Sequence, residues 1–181
     1  MRRLADRLGV VPMALYKHVS DKEDLLDAMV EAIITSYEIP PVVGRPRWRE
    51  QVTARVLAAR AVLDDHPWAR RAIESRTTRT AAVLGHMEAL TSALLDGGFT
   101  PDLAHHVLHA LGNRIWGFSP ELFPGEPAAV DPADYPGIVR VATDAGARRP
   151  GQGCDEDFEF RFALDLILDG ADRLRRGRWQ S

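Results

Sequence analysis

Apolar residues recur at spacings of three and four along most of this chain, and this period constrains its fold more than any other feature. The clearest examples lie in segments 22–34 and 102–118, where one side of a helix would be apolar. Runs of β-branched residues that alternate with polar ones, which would indicate strands, are absent from the sequence. The chain is therefore predicted to be all-α.

The composition excludes several classes of protein. The 181 residues carry a net charge of −3, so any contact with nucleic acid must come from a local basic patch rather than from the whole surface. Cys154 is the single cysteine, which excludes an internal disulfide and a cysteine-based zinc site. No apolar run reaches the ~18 residues of a membrane span, and the first residues do not resemble a secretory signal. We expect a protein of the reducing cytoplasm.

Proline divides the sequence into two parts. Residues 39–46 contain three prolines and cannot form a helix. We therefore predict a small unit over residues 1–38, a linker over residues 39–47 and a larger helical domain over residues 48–181. Helices of the larger domain are predicted at 48–65, after Pro67, and at 78–96, 102–118, 138–145 and 155–177, with a surface loop over 119–136.

The first 35 residues carry the pattern of a helix-turn-helix. A short helix from Met1 to Leu8 ends at Gly9, and Pro12 begins a second short helix that reaches about Val19. Ser20, followed three residues later by Glu23, is read as a capping box that opens a third helix. The residues expected to hold the two short helices together are Leu4, Ala5, Leu8, Val10 and Leu15.

The charge distribution favours DNA as the partner of this unit. Residues 1–22 contain five basic and two acidic residues, a local balance of +3. Small or apolar side chains early in the second helix can approach thymine methyls, and Lys17 and His18 can donate to bases or phosphates. Lys22 lies at the start of the next helix, where free amides also favour a phosphate. The residues predicted from this reasoning to contact DNA are Pro12, Met13, Ala14, Lys17, His18 and Lys22.

The segment LADRLGVVPMALYKHVSDKEDLLDAM resembles the DNA-binding segment of the TetR family of bacterial regulators, especially its tetracycline-repressor branch. The resemblance implies an all-α homodimer that binds a palindromic operator in double-stranded DNA and a small organic effector in its C-terminal helices. It places Tyr16 on the recognition helix and matches Tyr16 and Lys22 to positions that contact phosphates. The family's first helix is missing ahead of this segment, which predicts exposed apolar surface at Leu4, Leu8 and Ile33.

A stripe of polar and aromatic residues on the predicted helix 102–118 suggests a ligand site. The stripe comprises His105, His109, Asn113 and Trp116, and polar groups beside an aromatic ring suit an amphipathic ligand. These histidines could equally face solvent. The predicted effector contacts are His86, His109, Asn113 and Trp116. No cluster of Arg or Lys is expected to point inward, so the effector is predicted to be mostly apolar, with few polar groups.

No other chemistry is predicted. His105 and His109 have a spacing that can chelate a metal, but no carboxylate completes a metalloprotease-like site, and neither a metal nor a cofactor is assigned. Nucleophile, Walker and dinucleotide motifs are absent from the sequence, so an enzyme is not predicted.

The last predicted helix is apolar on more than one face and must be buried on most sides. We expect a second copy of the chain to cover it, together with the aliphatic side of residues 104–118, in a four-helix contact.

Three interpretations of function remain. The first is a ligand-responsive transcriptional regulator, most often a repressor in this family, in which an effector changes the spacing of two DNA-binding units. The second is a ligand-binding dimer that has lost DNA binding with the first helix. The third is a small all-α enzyme, which would show turnover dependent on the histidine stripe.

Overall fold

The computed structural model describes residues 1–40, 47–77, 79–116, 131–148 and 155–181, without the side chains of Trp116, Pro132, Ala145 and Gly146. Within these ranges the chain forms nine α-helices and no strand, so the predicted all-α class is confirmed. The helices are α1 (Arg2–Leu8), α2 (Pro12–Leu15), α3 (Lys22–Thr35), α4 (Trp48–Asp65), α5 (Trp68–Glu74), α6 (Ala81–Asp96), α7 (Pro101–Trp116), α8 (Pro136–Arg148) and α9 (Glu156–Arg176).

The main core lies where α4 packs on α6 and α7, and α7 packs on α9. Each helix contributes one buried stripe of aliphatic side chains, with Val52 and Val56 from α4 and Leu164 and Leu168 from α9 fully buried. The aliphatic side of α7 is buried in this same core: Ala104, Val107, Leu111 and Ile115. The expectation that a second copy covers this side of α7 is therefore wrong, because α4 and α9 of the same chain already bury it.

Helix α9 retains a second apolar surface that the core does not cover. Phe158, Phe162 and Leu166 are spaced four residues apart and are 48%, 52% and 59% exposed. The rings of Phe158 and Phe162 stack at 6.3 Å between centroids. We call these three residues the α9 outer stripe. Ile167, by contrast, packs against the core.

Helix ends agree with the sequence patterns where a capping residue is strong. Thr100 accepts a hydrogen bond from the amide of Leu103 at 3.2 Å, and Asp155 accepts one from the amide of Phe158 at 3.0 Å. Helix α6 begins three residues later than predicted, because Thr80 caps it.

The segment before α9 departs from the prediction in two places. A single 3-10 turn at Pro132–Asp134 precedes α8, which spans 13 residues rather than the predicted 138–145. The rest of the predicted loop, residues 119–130, and the last two residues of the predicted helix 102–118 lie outside the described residues. Among the helices within those ranges, none has both the length and the apolar character to cross a membrane.

Gly97 at the end of α6 packs closely against Trp48 at the start of α4. A Cβ at position 97 would lie 2.5 Å from the Cβ of Trp48, so the two backbones meet in a space that only glycine leaves open. Trp48 then contacts Phe99 edge to face at 4.8 Å between centroids. Arg175 of α9 donates to the carbonyl of Gly97 at 3.2 Å. This hydrogen bond links the end of α9 to the end of α6, beside the start of α4.

Candidate DNA-binding surface and ligand cavity

The turn between α1 and α2 has the geometry that its sequence requires. Gly9 has φ +66°, the left-handed conformation that glycine adopts without a steric penalty. The amide of Val10 donates to the carbonyl of Ala5 at 3.0 Å and closes the helix end. Pro12 then begins α2, where its missing N–H is not needed. Ala5 is the buried residue of α1.

Helix α2 is shorter than predicted. It ends at Leu15 rather than near Val19, and Tyr16, Lys17 and His18 form the turn that follows. The amide of His18 donates to the carbonyl of Leu15 at 3.0 Å, so the turn keeps a helical curvature. The residues predicted to contact DNA are therefore divided between α2, this turn and the start of α3.

Nearly all of the predicted DNA contacts are accessible in the structure. Met13 is 71% exposed and Tyr16 is 44% exposed. The other members are exposed, except for the half-buried Ala14: Pro12, Lys17, His18 and Lys22.

The start of α3 is capped one residue later than the sequence suggested. Asp21, not Ser20, accepts a hydrogen bond from the amide of Asp24 at 2.8 Å. The carboxylate of Asp24 in turn accepts a hydrogen bond from the amide of Ser20, the residue before Asp21, at 2.7 Å. This hydrogen bond lowers the pKa of Asp24. The predicted reciprocal cap by Glu23 is wrong, and Lys22 becomes the first residue of α3.

Burial in this unit differs from the prediction at three positions. Leu8 is 59% exposed and Val10 is 41% exposed, so neither joins α1 to α2 as expected. The exposure of Leu8 agrees instead with the exposed apolar surface that the family resemblance predicts there. Leu4 and Leu15 are half-buried. Ile33 was expected to be exposed but is 5% exposed, because it joins the main core of the larger body.

A cavity of about 610 Å³ lies between α5, α6 and α7 and includes part of the predicted ligand site. We call it the ligand cavity. Its lining residues are Glu74, Arg79, Met87, His105, Leu108, His109, Gly112 and Asn113. The predicted residues His109 and Asn113 therefore share one wall. Glu74 and Arg79 were missed, since they lie on and after the short helix α5, where the sequence shows no periodic pattern.

His86 lies elsewhere, packed edge-on against Tyr37 at 5.2 Å between ring centroids. Its Nε2 atom and the Tyr37 hydroxyl are both buried and have no hydrogen-bond partner in the described part of the chain. Burial, reinforced by the charge of Arg55, lowers the pKa of His86. The predicted ligand contacts thus fall in two places. For Trp116 the structure gives only a position at the end of α7, and its side chain is outside the described residues.

Two arginines point inward, contrary to the expectation from sequence. The guanidinium carbons of Arg60 and Arg114 lie 4.4 and 4.6 Å from the ring centroid of Phe160, which is 2% exposed. Burial and the neighbouring charge of Arg60 lower the pKa of Arg114. Arg60 also pairs with Asp64 at 3.2 Å. The expectation that no arginines point inward is therefore wrong for this pair, although neither Arg60 nor Arg114 lines the ligand cavity described above.

A larger groove, of about 1040 Å³, lies between the start of α4 and the ends of α6 and α9. Its charges are largely satisfied within the chain. Arg49 donates to Asp169 at 2.6 Å and to Asp165 at 2.9 Å, and Arg175 donates to Asp172 at 2.7 Å. The ion pairs of Arg49 join the start of α4 to α9, and the lining of the groove is more polar than that of the ligand cavity.

The histidines of α7 do not form a closed metal site. The rings of His105 and His109 lie 4.6 Å apart between centroids. His106 instead faces Asp102, with 3.6 Å between Nε2 and Oδ1. No group of three or more potential metal ligands occurs in the portion of the chain that the structure describes.

Known proteins resemble this chain over most of its length. The tetracyclin repressor-like C-terminal domain family matches residues 40–174. An HTH-type transcriptional regulator of Saccharopolyspora erythraea is 38% identical over 99 residues, which cover 55% of this chain but 42% of that regulator, less than half of its length. The HTH-type transcriptional repressor DrrR1 of Streptomyces coeruleorubidus is 29% identical, with 98% of this chain and 72% of the repressor covered.

Solved structures give the same result. A possible TetR family transcriptional regulator from Streptomyces coelicolor superposes with a TM-score of 0.76 at 25% identity, covering 96% of this chain and 88% of that one. The Streptomyces coelicolor TetR family protein ActR, in complex with actinorhodin, gives a TM-score of 0.70 at 26% identity, with coverage of 94% and 85%. The helix-turn-helix pattern, the all-α body and the match over residues 40–174 agree, and the chain belongs to the TetR family of transcriptional regulators.

Proposed function

We propose that the chain is a ligand-responsive repressor that binds an operator in double-stranded DNA as a homodimer and is released by a small organic molecule. The proposed DNA surface comprises the exposed residues of α2, the turn after it and the start of α3. In this proposal residues 1–38 act as the DNA-binding unit, and residues 48–181 bind the effector and pair the copies. The role is regulatory rather than enzymatic, as the names of its relatives suggest.

The observation that carries the proposal is the accessible surface around the turn between α2 and α3. Lys17, His18 and Lys22 are exposed together within six residues, beside the apolar Met13. Side chains of this kind suit a major groove, where cations donate to phosphates or guanine and apolar groups meet thymine methyls. The family of the chain is the second support.

For the effector we propose the ligand cavity, with His109 and Asn113 as its polar contacts. Met87, Leu108 and Gly112 offer apolar surface, whereas Glu74 and Arg79 place opposite charges at one side. This lining suits an organic molecule with an apolar body and a few hydrogen-bonding groups. Trp116 stays a proposed contact. His86 would join the site only if a ligand separated it from Tyr37. That ActR was solved with actinorhodin is consistent with an organic effector.

A selection experiment tests the proposal. The purified chain is mixed with genomic fragments of its organism, and the retained duplexes are sequenced. We expect enrichment of a palindromic sequence, and we expect the double variant with Lys17→Ala and His18→Ala to lose that enrichment. A matched variant with Arg140→Ala, on the exposed surface of α8, should keep it. If the chain retains no duplex but shows ligand-dependent thermal shifts, the second interpretation, a ligand-binding dimer without DNA binding, replaces this one.

A further inference from the structure

Three carboxylates on one face of α3 hold the connection between α5 and α6. Glu23, Asp27 and Glu31 are spaced four residues apart and lie one above the other. Arg76, just after α5, donates a hydrogen bond to Glu23, and its Nε lies 3.0 Å from the carboxylate of Asp27. Glu31 accepts a hydrogen bond from the amide of Ala82 in the first turn of α6 at 3.3 Å. We call these three residues the carboxylate row.

The same connection forms one side of the ligand cavity. Glu74 and Arg79 line the cavity, and Arg76 lies between them in the sequence. The side chain of Arg76 is only 10% exposed, because it is held against α3. A molecule in the cavity would therefore contact a short segment whose central arginine is fixed to another helix.

The other end of this contact lies at the DNA-binding unit. Glu23 is the second residue of α3 and directly follows Lys22. Farther along α3, Val30 and Ile34 pack with Ala72 of α5, so the later turns of the helix are fixed by apolar contacts. The first turns of α3 also carry the hydrogen bond and the ion pair from Arg76, and a hydrogen bond weakens steeply when its donor and acceptor lose alignment. A small displacement of Arg76 would thus change the support of the first turns of α3 more than that of the later turns.

We propose that Arg76 is the positioning residue that transmits occupancy of the ligand cavity to the start of α3, and so to the DNA-binding surface. This inference rests on the proposed function in treating the cavity as the effector site. A ligand that moves Glu74 or Arg79 shifts Arg76 relative to Glu23 and Asp27, and the equilibrium position of α3 changes by the difference in interaction between the two arrangements. Neither the natural effector nor the operator is needed to test it.

The test fills the cavity with a known chemical group. In a Cys154→Ser background, Met87→Cys places a thiol on the cavity wall, and N-phenylmaleimide attaches a phenyl-bearing group to it. Amide hydrogen exchange of residues 22–29 is then measured by mass spectrometry with and without the label. The measurement is repeated with Arg76→Gln added, and with Arg140→Gln as a matched control on the exposed surface of α8, away from α3 and the ligand cavity.

Labelling should change exchange in residues 22–29 by about threefold or more when Arg76 is present. With Arg140→Gln the response should persist. With Arg76→Gln, exchange in this segment should already be fast, and the label should change it little. If the response persists in folded Arg76→Gln protein, or if the label leaves α3 unchanged when Arg76 is present, the inference is wrong.

A second variant protects the test against misfolding. If circular dichroism shows that Arg76→Gln does not fold, the double variant Glu23→Gln with Asp27→Asn removes the same two contacts from the α3 side and should also abolish the response. The selection of genomic duplexes tests the proposed function separately. A chain that binds no DNA would contradict that function, whereas the exchange result alone decides the role of Arg76.

Discussion

Two leucines two residues apart on α9 allow a direct test of which face of this helix is internal. Leu168 is 0% exposed within the core, whereas Leu166 belongs to the α9 outer stripe and is 59% exposed. Replacing each by alanine removes the same three carbon atoms from opposite environments. The pair therefore separates burial within one chain from burial between two copies.

The structure sets the expected size of both effects. Leu168→Ala should lower the free energy of unfolding by about 3–4 kcal/mol, because it removes a fully buried side chain and leaves a cavity. For a chain of this length, that loss corresponds to a fall in melting temperature on the order of 10 °C. Leu166→Ala should cost far less in an isolated chain. If a second copy covers Leu166, burying its exposed part would contribute about 1–2 kcal/mol per copy, and the substitution should raise the dimer dissociation constant by about thirtyfold or more.

The assay is urea unfolding at several protein concentrations, combined with sedimentation equilibrium. The loss in Leu168→Ala should be similar at every concentration, whereas Leu166→Ala should weaken association without changing the unfolding of the dissociated chain. A loss below about 1 kcal/mol in Leu168→Ala would refute the assignment of the core. Wild-type protein that remains monomeric at micromolar concentration would refute the proposed dimer.

Three further predictions concern the DNA-binding unit and a buried histidine. Lys17→Ala should weaken binding to a selected duplex by about 1–3 kcal/mol and relax its specificity, whereas Lys22→Ala should weaken binding to selected and random duplexes equally. Fluorescence anisotropy measures both affinities, and equal effects of the two variants would contradict the roles assigned to them. Gly9→Ala should destabilise the turn by about 1 kcal/mol because of the positive φ, and increased hydrogen exchange in residues 2–15 would report it. Burial lowers the pKa of His86 below its ordinary value of 6.5, so the unfolded chain binds a proton more readily and the free energy of unfolding should fall as the pH drops below that value. His86→Gln should flatten this dependence in urea titrations from pH 7.5 to 5.0, and an unchanged slope in His86→Gln would show that another group titrates.

The sequence predicted helices best where local signals coincide with the ends. The bounds of α4 were predicted correctly, because the proline-rich segment precedes Trp48 and His66 and Pro67 interrupt the pattern at its end. The start of α7 at Pro101 lies one residue before the predicted start at 102, because Thr100 caps the helix there. The early end of α2 could not be predicted, since nothing between Leu15 and Val19 opposes a helix locally.

Side-chain environments were harder to predict than helices. A helical stripe correctly brought His109 and Asn113 together, because both lie on one helix. His86 lies on another helix, and its burial against Tyr37 depends on how α3 packs on α6, which no local pattern encodes. The inward arginines have the same cause, because Arg60 of α4 and Arg114 of α7 meet at Phe160 of α9, and these three helices lie far apart in the sequence.

The close approach of Gly97 to Trp48 restricts which sequences can share this packing. Gly97 has φ −72°, which alanine also adopts, so the backbone conformation alone would tolerate substitution. The obstacle is the neighbouring indole, since a methyl group would lie 2.5 Å from its Cβ. Among related chains, a larger residue at position 97 should therefore occur with an altered backbone path at the start of α4, and not simply with a smaller residue at position 48, because any non-glycine residue there has a Cβ. A change at position 97 and a change in the backbone at the start of α4 should therefore occur together.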